Sequence, residues 1–376
     1  MSTNNFKISG SMNYFLISNM YPDVDSPGYG SFVKNVEEGL ANYDIKSKCS
    51  ALIIGRPTSL LNKCYKYILF YINIVRHYFK IYDFIYIHYP NHALPCLMLC
   101  YLIKKQKVIV NLHGEDLLYP QKGISLLLGK LNDYFLKKVD AIVVPSNYYK
   151  EIVKNRIQEN KIIIVSPSGG INDELFYPKQ FQYNDGNIYH LGFVGRIDPH
   201  KGWREFLEAI SKLPNPPNFK ATIIGYGSEV EALHEYLSTN TKCHIDYIPK
   251  VAHEELREYY SKFDLLLFPS MREEESLGLV GIEAMACGTP VIGSNIGGIP
   301  SYLTHKKTGF LVTPGDTSEI AKYVVEYCQL DISGKEYLYN NCIKDSKNYY
   351  SKKVIKDLAE SFRKLLDNKC NYKQQS

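Results

Sequence analysis

Short apolar runs alternate with amphipathic segments along the whole chain, and this alternation gives the first indication of the fold. The runs that predict strands in the first half are Tyr14–Ser18, Cys49–Ile54, Phe84–His88, Val108–Leu112, Ala141–Val144 and Ile162–Val165. Those in the second half are Leu191–Val194, Ala221–Ile224, Leu265–Phe268, Val291–Gly293 and Phe310–Val312. Continuous apolar strands separated by helices are typical of parallel sheets that helices cover on both faces. We therefore predict an α/β fold.

The alternation of strand and helix patterns is interrupted once, over residues 172–187. Pro178, Gly186 and the polar residues of this segment predict a linker. A length of 376 residues also favours two domains. We expect an N-terminal domain over residues 1–180, a second over 181–351, and a final amphipathic helix within 352–376. Two doubly wound domains of this kind place a ligand cleft between the carboxyl ends of their strands.

Charge is unevenly distributed along the chain. The formal net charge is +5, with +7 on residues 1–182 and −2 on the remainder. The basic first half suggests an anionic partner, either a phospholipid surface or a phosphorylated substrate. The basic residues are dispersed and form no nucleic-acid motif, which argues against nucleic acid as a partner.

The cysteines and the length of the apolar runs indicate where in the cell the protein is located. The nine cysteines are odd in number and form no CxxC pair, and the first residues lack a signal-peptide pattern. These features predict reduced thiols in a cytoplasmic protein. The longest apolar run, Ala93–Ile103, contains Pro95 and is about half the length that a bilayer span requires.

The segment from Arg272 to Gly298 carries the strongest indication of chemistry. A strand ends at Pro269-Ser270, a Glu-rich loop follows, and a helix is predicted to begin near Gly278-Leu279. Glu275 and Glu283 are about 12 Å apart at helical rise, so they can bind hydroxyls at two ends of one ligand. Free amides at the helix start would suit a phosphate between them. This describes a nucleotide sugar; the alternative is a solvated acidic loop and a surface helix residue.

Here the chain resembles glycosyltransferase family 4, the retaining group 1 enzymes with the GT-B fold. The motifs that carry the resemblance are Glu275 and Glu283 with EAMACGTPVIGS and a Gly pair after them, Val194-Gly195-Arg196, Lys201-Gly202, Ile223–Gly227, Gly309–Val312, Pro314–Asp316, Gly30–Val33, His113-Gly114-Glu115-Asp116 and Ser168–Ile171. Trp203 departs from the pattern, because a smaller aliphatic residue is commoner there. The resemblance implies two Rossmann-like domains that face a central cleft, with the terminal helix packing back on the first domain.

The resemblance also implies roles for individual residues. Arg196 and Lys201, near the end of a predicted strand, can neutralise a diphosphate and stabilise the departing nucleotide in place of a metal; the alternative is two solvent-facing cations. His113 is implied to contact the transferred sugar, and Asp116 to shape the acceptor side. The expected catalytic residues are His113, Glu275, Arg196 and Lys201. The expected donor-binding residues are Gly30, Arg196, Lys201, Val251, Gly278, Leu279 and Glu283.

The reaction predicted is transfer of a hexose, with retention, from a UDP- or GDP-linked sugar to a hydroxyl acceptor, without a cofactor or metal. A lipid-linked saccharide of a surface polysaccharide pathway is the leading acceptor. Asp23 and Asp25 form a DxD pattern typical of metal-dependent transferases, but between Pro22 and Pro27 they are better interpreted as turn formers. A nucleotide-sugar epimerase or phosphorylase is the alternative enzyme, and a non-catalytic sugar-nucleotide-binding scaffold is the alternative outside catalysis.

The segment Lys63–Lys80 contains no acidic residue and suggests a second partner. On a helical wheel its polar and basic residues occupy an arc of about 140°, and the rest is almost wholly apolar. The apolar arc is wider than contact with one face of a sheet requires, so we predict that some of its apolar residues remain exposed. Exposed apolar residues with basic neighbours predict contact with an anionic membrane surface, which would make the protein peripheral at the inner face of the membrane. The alternative is an ordinary helix covering the sheet.

Overall fold

The structure, a computed structural model, describes residues 10–114, 116–117, 123–158, 160–182, 188–214, 219–239 and 244–372. Glu115 of the HGED motif, residues 183–187 of the predicted linker and residues 373–376 after the terminal helix lie outside the described residues. The chain divides into two compact units: unit 1 comprises residues 1–170 and 351–376, and unit 2 comprises residues 171–350. Both boundaries lie earlier along the chain than the boundaries after residues 180 and 351 that the sequence predicts.

The bounds of the elements are as follows. The strands are β1 (Met12–Tyr21), β2 (Ile45–Ile54), β3 (Phe84–His88), β4 (Val108–Asn111), β5 (Ala141–Val144), β6 (Ile162–Val165), β7 (Tyr189–Val194), β8 (Phe219–Ile224), β9 (His244–Ile248), β10 (Leu265–Phe268), β11 (Val291–Ser294) and β12 (Gly309–Val312). The helices are α1 (Ser31–Ala41), α2 (Leu60–Tyr78), α3 (Pro90–Ile103), α4 (Gly123–Leu136), α5 (Asn147–Ile157), α6 (Trp203–Ser211), α7 (Val230–Thr239), α8 (Leu256–Tyr260), α9 (Leu279–Ala286), α10 (Thr317–Cys328), α11 (Ile332–Ser346) and α12 (Ser351–Tyr372).

Unit 1 is built on a six-stranded parallel sheet in the order β2-β1-β3-β4-β5-β6. Successive residues of β1 enter opposite layers: Phe15 and Ile17 pack into one core, and Tyr14 and Leu16 into the other. All four are buried. Burial on both faces is the reason the strand is apolar at consecutive positions. The predicted α/β fold is confirmed.

The terminal helix α12 packs on the sheet of unit 1. Its apolar residues Ile355 and Phe362 are buried among side chains of α1 and of the strands β1 and β3. The Phe362 ring lies 5.2 Å from the rings of both Phe84 and Tyr86. Apolar burial on one face of an amphipathic helix therefore holds the end of the chain against the first strands.

Unit 2 contains a second six-stranded parallel sheet, in the order β12-β11-β10-β7-β8-β9. The strand β9 was not predicted from the sequence. It lies at the edge of the sheet, and its His244 and Asp246 side chains are exposed and interact with each other at 3.0 Å. A strand open to solvent on one side does not need a continuous apolar run, so the pattern used for the buried strands did not detect it.

Each sheet has one point where the strand order reverses direction. In unit 1 it lies between β1 and β3, and in unit 2 it lies between β7 and β10. All the strands of a sheet run parallel, so their carboxyl ends lie along one edge. Ligands of open α/β sheets bind at that edge, beside the reversal point. We refer to these two places as the unit 1 and unit 2 switch points.

The helix α2 leaves much of its apolar surface in solvent. It buries Phe70, Ile74 and Tyr78 against the sheet. Its exposed large apolar side chains are Leu60, Leu61, Tyr65, Ile68, Leu69, Ile72 and Val75, and those of α3, which packs beside it, are Leu99, Leu102 and Ile103. We call this set the α2–α3 apolar surface. Within the described part of the chain, no helix is both long enough and apolar enough to cross a bilayer.

Candidate functional site

An ion pair joins the loops that follow the two strands flanking the unit 2 switch point. Lys201 follows β7 and Glu275 follows β10, and the Lys201 Nζ donates to Glu275 Oε2 at 2.9 Å. The Ser270 hydroxyl donates to the same carboxylate oxygen at 3.1 Å. The Lys201 and Glu275 side chains are only 18% and 10% exposed. Neither is a freely solvated surface charge, and the two residues predicted to serve the donor are brought together.

The loops that carry this pair pack backbone against backbone. Gly202 has φ +91°, and a Cβ there would lie 2.4 Å from the Pro269 carbonyl oxygen. Only glycine permits both this conformation and this approach. From the other side, the Gly298 amide donates to the Glu275 carbonyl at 2.8 Å. The loops after β7, β10 and β11 therefore fix each other at one edge of the sheet.

The helix α9 begins beside Glu275. Gly278 precedes it with φ +75°, and Leu279 is its first residue. No side chain among the described residues caps this end, and its first turn contains no acidic residue. The first amides of a helix have no partner within the helix, and the helix dipole adds partial positive charge there. This end of α9 is therefore suited to an anion.

Glu283 lies on α9 but does not face solvent. Its Oε2 accepts a hydrogen bond from the Tyr260 hydroxyl at 2.8 Å, and its Oε1 lies 3.1 Å from His253 Nε2. The side chain is 7% exposed. The hydrogen bond to Glu283 raises the pKa of His253 above its ordinary value. The interpretation of Glu283 as a surface residue is wrong, because two neighbours hold its carboxylate in place.

His253 and Tyr260 were not singled out in the sequence. His253 lies two residues after Val251, in the segment predicted to hold the base of a nucleotide, and Val251 is partly buried against the core. Tyr260 is the last residue of the short helix α8. Neither residue belongs to a recognisable motif, and the sequence offered no signal that would pair either of them with Glu283.

Arg196 lies in the loop after β7, as Lys201 does, but has a different partner. Its guanidinium contacts Asp198 at 2.6 Å, and its side chain is 57% exposed. Asp198 also accepts from the Ser228 amide at 2.8 Å, which ties the loop after β7 to the loop after β8. Arg196 therefore remains largely accessible to a ligand, whereas Lys201 is held by Glu275.

In unit 1, Gly30 and His113 lie close to the switch point on neighbouring elements. Gly30 precedes α1 with φ +74°, and a Cβ there would lie 2.7 Å from the Met20 carbonyl group. Close packing against β1 therefore requires glycine whether or not a phosphate approaches. In the first turn of α1, the Phe32 ring lies 4.5 Å from the His113 ring. The structure thus places the start of α1 beside His113.

His113 is surrounded by rings and anchored through its backbone. Tyr89 stacks on it at 4.7 Å, and His88 Nδ1 lies 3.0 Å from His113 Nε2. The buried Asp116 carboxylate accepts from the His113 amide at 2.9 Å, so Asp116 shapes this loop. Burial lowers the pKa of His113 to about 3, so the imidazole is neutral at pH 7.

The DxD pattern forms a turn. The Asp23 carboxylate accepts from the Ser26 amide at 2.7 Å, the local bond expected of a turn former. In the described ranges, no group of three or more His, Cys, Asp or Glu side chains is gathered where it could hold a metal ion. Metal independence stays a prediction.

The family of this chain follows from its similarity to known protein families. The model described as glycosyl transferases group 1 matches residues 178–349, and the model described as glycosyltransferase family 4 matches residues 38–169. The chain belongs to the group 1, family 4 glycosyltransferases. The resemblance identified from the motifs is therefore confirmed.

A curated relative of known pathway is the capsular polysaccharide biosynthesis glycosyltransferase CapM of Staphylococcus aureus. It is 29% identical over 271 residues, which are 65% of this chain and 69% of CapM. The matched segments of the first curated relatives span 61% to 69% of those proteins' own length. The activity of the whole protein is therefore a matter for proposal.

Two solved structures illustrate the fold. Sucrose-phosphate synthase from Thermosynechococcus elongatus is similar with a TM-score of 0.76 and 19% identity, over 95% of this chain and 100% of that one. Anabaena HepE in complex with UDP-glucose gives a TM-score of 0.69 and 18% identity, over 94% and 100% of the two chains. These likenesses, together with the two parallel sheets, confirm the predicted GT-B fold.

Proposed function

We propose that this protein is a retaining, metal-independent hexosyltransferase that moves a sugar from a nucleoside-diphosphate sugar to a hydroxyl acceptor. The observation that carries the proposal is the largely buried Lys201–Glu275 pair at the unit 2 switch point, next to the start of α9, which no described side chain caps. This pair and the helix start together offer a cation, hydrogen-bond acceptors and free amides within one set of loops. A nucleotide sugar needs all three.

In this proposal each donor group has its own partner. Lys201, Arg196 and the amides at Gly278 and Leu279 bind the diphosphate. Glu275 accepts hydrogen bonds from hydroxyls of the sugar, and Glu283 accepts them from the ribose. The backbone near Val251 holds the base, with UDP or GDP as the nucleotide. The HepE structure with UDP-glucose supports this donor class, since it has the same fold.

Charge stabilisation is the proposed basis of catalysis. When the bond between the sugar and the diphosphate breaks, negative charge develops on the departing nucleotide. Positive charge that is already in position stabilises this state without further reorganisation. Arg196 and Lys201 take the part that a divalent metal plays in other transferases. His113 and Gly30 of unit 1 are proposed to contact the transferred sugar and the donor phosphates.

The proposed acceptor is a lipid-linked saccharide of surface polysaccharide biosynthesis. The name of CapM supports this pathway, and the α2–α3 apolar surface supports a lipid-linked substrate. Lys63 and Arg76 of the same helix are exposed, and so is Lys80, two residues after its end. Apolar side chains with basic flanks are what a protein needs to associate with anionic headgroups. Lys66 contributes less, because its Nζ donates to the Ile54 carbonyl at 2.6 Å.

Nucleotide binding tests the donor site. A thermal-shift panel of UDP-, GDP- and ADP-sugars identifies the donor, because a ligand at a given concentration stabilises the fold by RT ln(1 + [L]/Kd). By calorimetry, Glu283→Ala and Lys201→Ala should each weaken binding of that nucleotide by about 1–3 kcal/mol, the scale of a lost charged hydrogen bond. Lys322→Ala, at an exposed position of α10, is the control. Unchanged affinity in both folded variants would contradict the assignment.

Turnover of the identified donor separates transfer from the other activities of this architecture. With a hydroxyl acceptor present, the sugar should appear on the acceptor with its anomeric configuration retained. Turnover without an acceptor would instead indicate an epimerase, and a requirement for phosphate would indicate a phosphorylase. Binding without any turnover would indicate a scaffold.

Vesicle co-sedimentation tests the membrane surface. The protein should bind anionic vesicles at low salt and bind neutral vesicles weakly. Binding should fall in the Lys63→Ser/Arg76→Ser/Lys80→Ser variant, and also in a Leu61→Ser/Ile72→Ser variant that keeps the charge. Lys322→Ser/Lys344→Ser/Lys347→Ser removes the same charge from unit 2 and is the matched control. If the wild-type protein does not bind anionic vesicles at low salt, the membrane role is refuted.

A further inference from the structure

His88, a buried histidine at the unit 1 switch point, has no role in the motifs described above. It is the last residue of β3, where its backbone pairs with Ser18 of β1 and Asn111 of β4. It is 1% exposed. A polar side chain at this position, on a strand that is otherwise apolar, needs a physical explanation.

Among the residues that the structure describes, the side chain of His88 makes one close polar contact, with His113. Its Nδ1 lies 3.0 Å from His113 Nε2, and the two ring planes differ by only 18°. The other ring nitrogen of His88, Nε2, is buried and has no hydrogen-bond partner among the described residues. The centroid of the His88 ring lies 4.6 Å from that of Tyr86 and 6.5 Å from that of Phe32.

The position of the proton on one ring determines the position of the proton on the other. One imidazole must donate to the other, and each neutral imidazole carries a proton on one nitrogen only. If His113 donated, His88 would carry its own proton on Nε2, as a buried N–H without an acceptor. If His88 donates from Nδ1, the unpaired atom is a bare nitrogen lone pair. In the backbone of folded proteins, orphaned buried N–H groups are rarer than under-satisfied carbonyl groups. We apply the same preference to the imidazole, and it favours the second arrangement.

We propose that His88 is a positioning residue that fixes the tautomer of His113, by donating from its Nδ1 to His113 Nε2. His113 then carries its proton on Nδ1, and this N–H is the group offered to the substrate. The inference rests on the proposed function in one respect, that His113 contacts the transferred sugar. Burial lowers the pKa of both imidazoles, so both are neutral. In a neutral pair, one imidazole donates the hydrogen bond and the other accepts it.

Three further contacts make the arrangement rigid. Tyr89 stacks on His113 with ring planes 20° apart, and Phe32 contacts it at 4.5 Å. Asp116 holds the His113 backbone. The ring therefore cannot rotate freely to exchange its two nitrogens, and the bond to His88 determines which of them is protonated. A neutral N–H aimed in a fixed direction is a hydrogen-bond donor to a sugar oxygen.

Nitrogen NMR of the full chain labelled with ¹⁵N-histidine tests the tautomer without any substrate. The His113 signals are assigned by their loss in His113→Asn. We expect His113 to be protonated on Nδ1 and unprotonated on Nε2 throughout pH 6–8. Protonation on Nε2, or rapid exchange between tautomers, would overturn the proposal. This readout does not depend on transferase activity, so it is separate from a failure of the proposed function.

Three variants then test the consequence for transfer. His88→Asn keeps an amide near the position of Nδ1 and should retain activity within about fivefold, with the same His113 tautomer. His88→Gln places its amide near the position of Nε2 instead, and His88→Leu has no donor. Both should lower kcat at least tenfold while Kd for the free nucleoside diphosphate changes less than twofold. Equal activity in all three folded variants, or a parallel loss of nucleotide affinity, would overturn the positioning role.

Discussion

Removing Lys201 should destabilise unit 2 because it leaves the Glu275 carboxylate largely buried without its counter-charge. The two groups are 2.9 Å apart, and the side chains are 18% and 10% exposed. At an effective dielectric constant near 20, their gross attraction is about 6 kcal/mol. Desolvation of both charges cancels much of it, and the Ser270 hydroxyl still donates to Glu275 in the variant. We therefore expect Lys201→Met to lower the free energy of unfolding by about 2–4 kcal/mol.

The double variant separates the ion pair from the effects of the individual side chains. In Lys201→Met/Glu275→Gln no buried charge remains, and the amide can still accept from Ser270. Its stability should lie closer to that of the wild type than the stability of Lys201→Met does, with a coupling energy of about 2 kcal/mol between the two positions. Glu275→Gln alone leaves an ammonium that can reach water, so it should cost less than Lys201→Met.

The chain contains a reporter for this measurement. Its single tryptophan, Trp203, lies in unit 2, two residues after Lys201. It is 1% exposed, and its indole donates to Glu229 at 2.9 Å. Urea unfolding followed by indole fluorescence thus reports on unit 2. If the two single changes add up to the cost of the double variant, Lys201 and Glu275 do not interact in solution, and the reasoning about the site is refuted.

Three further results are expected. Transfer should survive excess EDTA, and complete loss that Mn²⁺ restores would contradict metal independence. Gly202→Ala should destabilise unit 2 by about 1–3 kcal/mol, whereas Gly195→Ala, with its nearest neighbour at 3.5 Å, should be tolerated; equal urea midpoints would contradict the strain. The raised pKa of His253 contributes stability below about pH 6.5 that is lost as pH rises through its folded pKa; His253→Ala should flatten this dependence, and an unchanged profile would contradict the contact.

The buried strands could be predicted from sequence because both of their faces are covered. β3, β5 and β10 are fully buried and begin and end where their apolar runs do. The edge strand β6 was also predicted with its bounds, because its four residues are all apolar although none is fully buried. β1 and β2 extend beyond the predicted runs, since their ends reach exposed positions where polar residues are tolerated. β9 was missed for the same reason. The predictive signal is therefore the continuous apolar run. Burial on both faces requires such a run, whereas a sheet edge or a strand end can form without one.

The charged core of the site could be predicted from its motifs, but the partners of its residues could not. The spacing of Glu275 and Glu283 gave their separation along the chain, and it did not indicate that Tyr260 and His253 hold Glu283. Those contacts come from α8 and the loop before it, which tertiary packing brings to α9. Trp203, a departure from the family pattern, is a core residue of unit 2 and not a ligand candidate.

The two switch points differ in their electrostatics, and this difference bears on what each unit recognises. In unit 2 the groups at the switch point are charged: Lys201 pairs with Glu275, and Arg196 is largely exposed beside Asp198. In unit 1 the groups are neutral rings, because burial keeps both His88 and His113 uncharged. Fixed charge suits a diphosphate, whereas neutral directional donors suit sugar hydroxyls. Substitutions around His113 should therefore alter the choice of sugar, and substitutions around Lys201 should alter the affinity for every nucleotide donor alike.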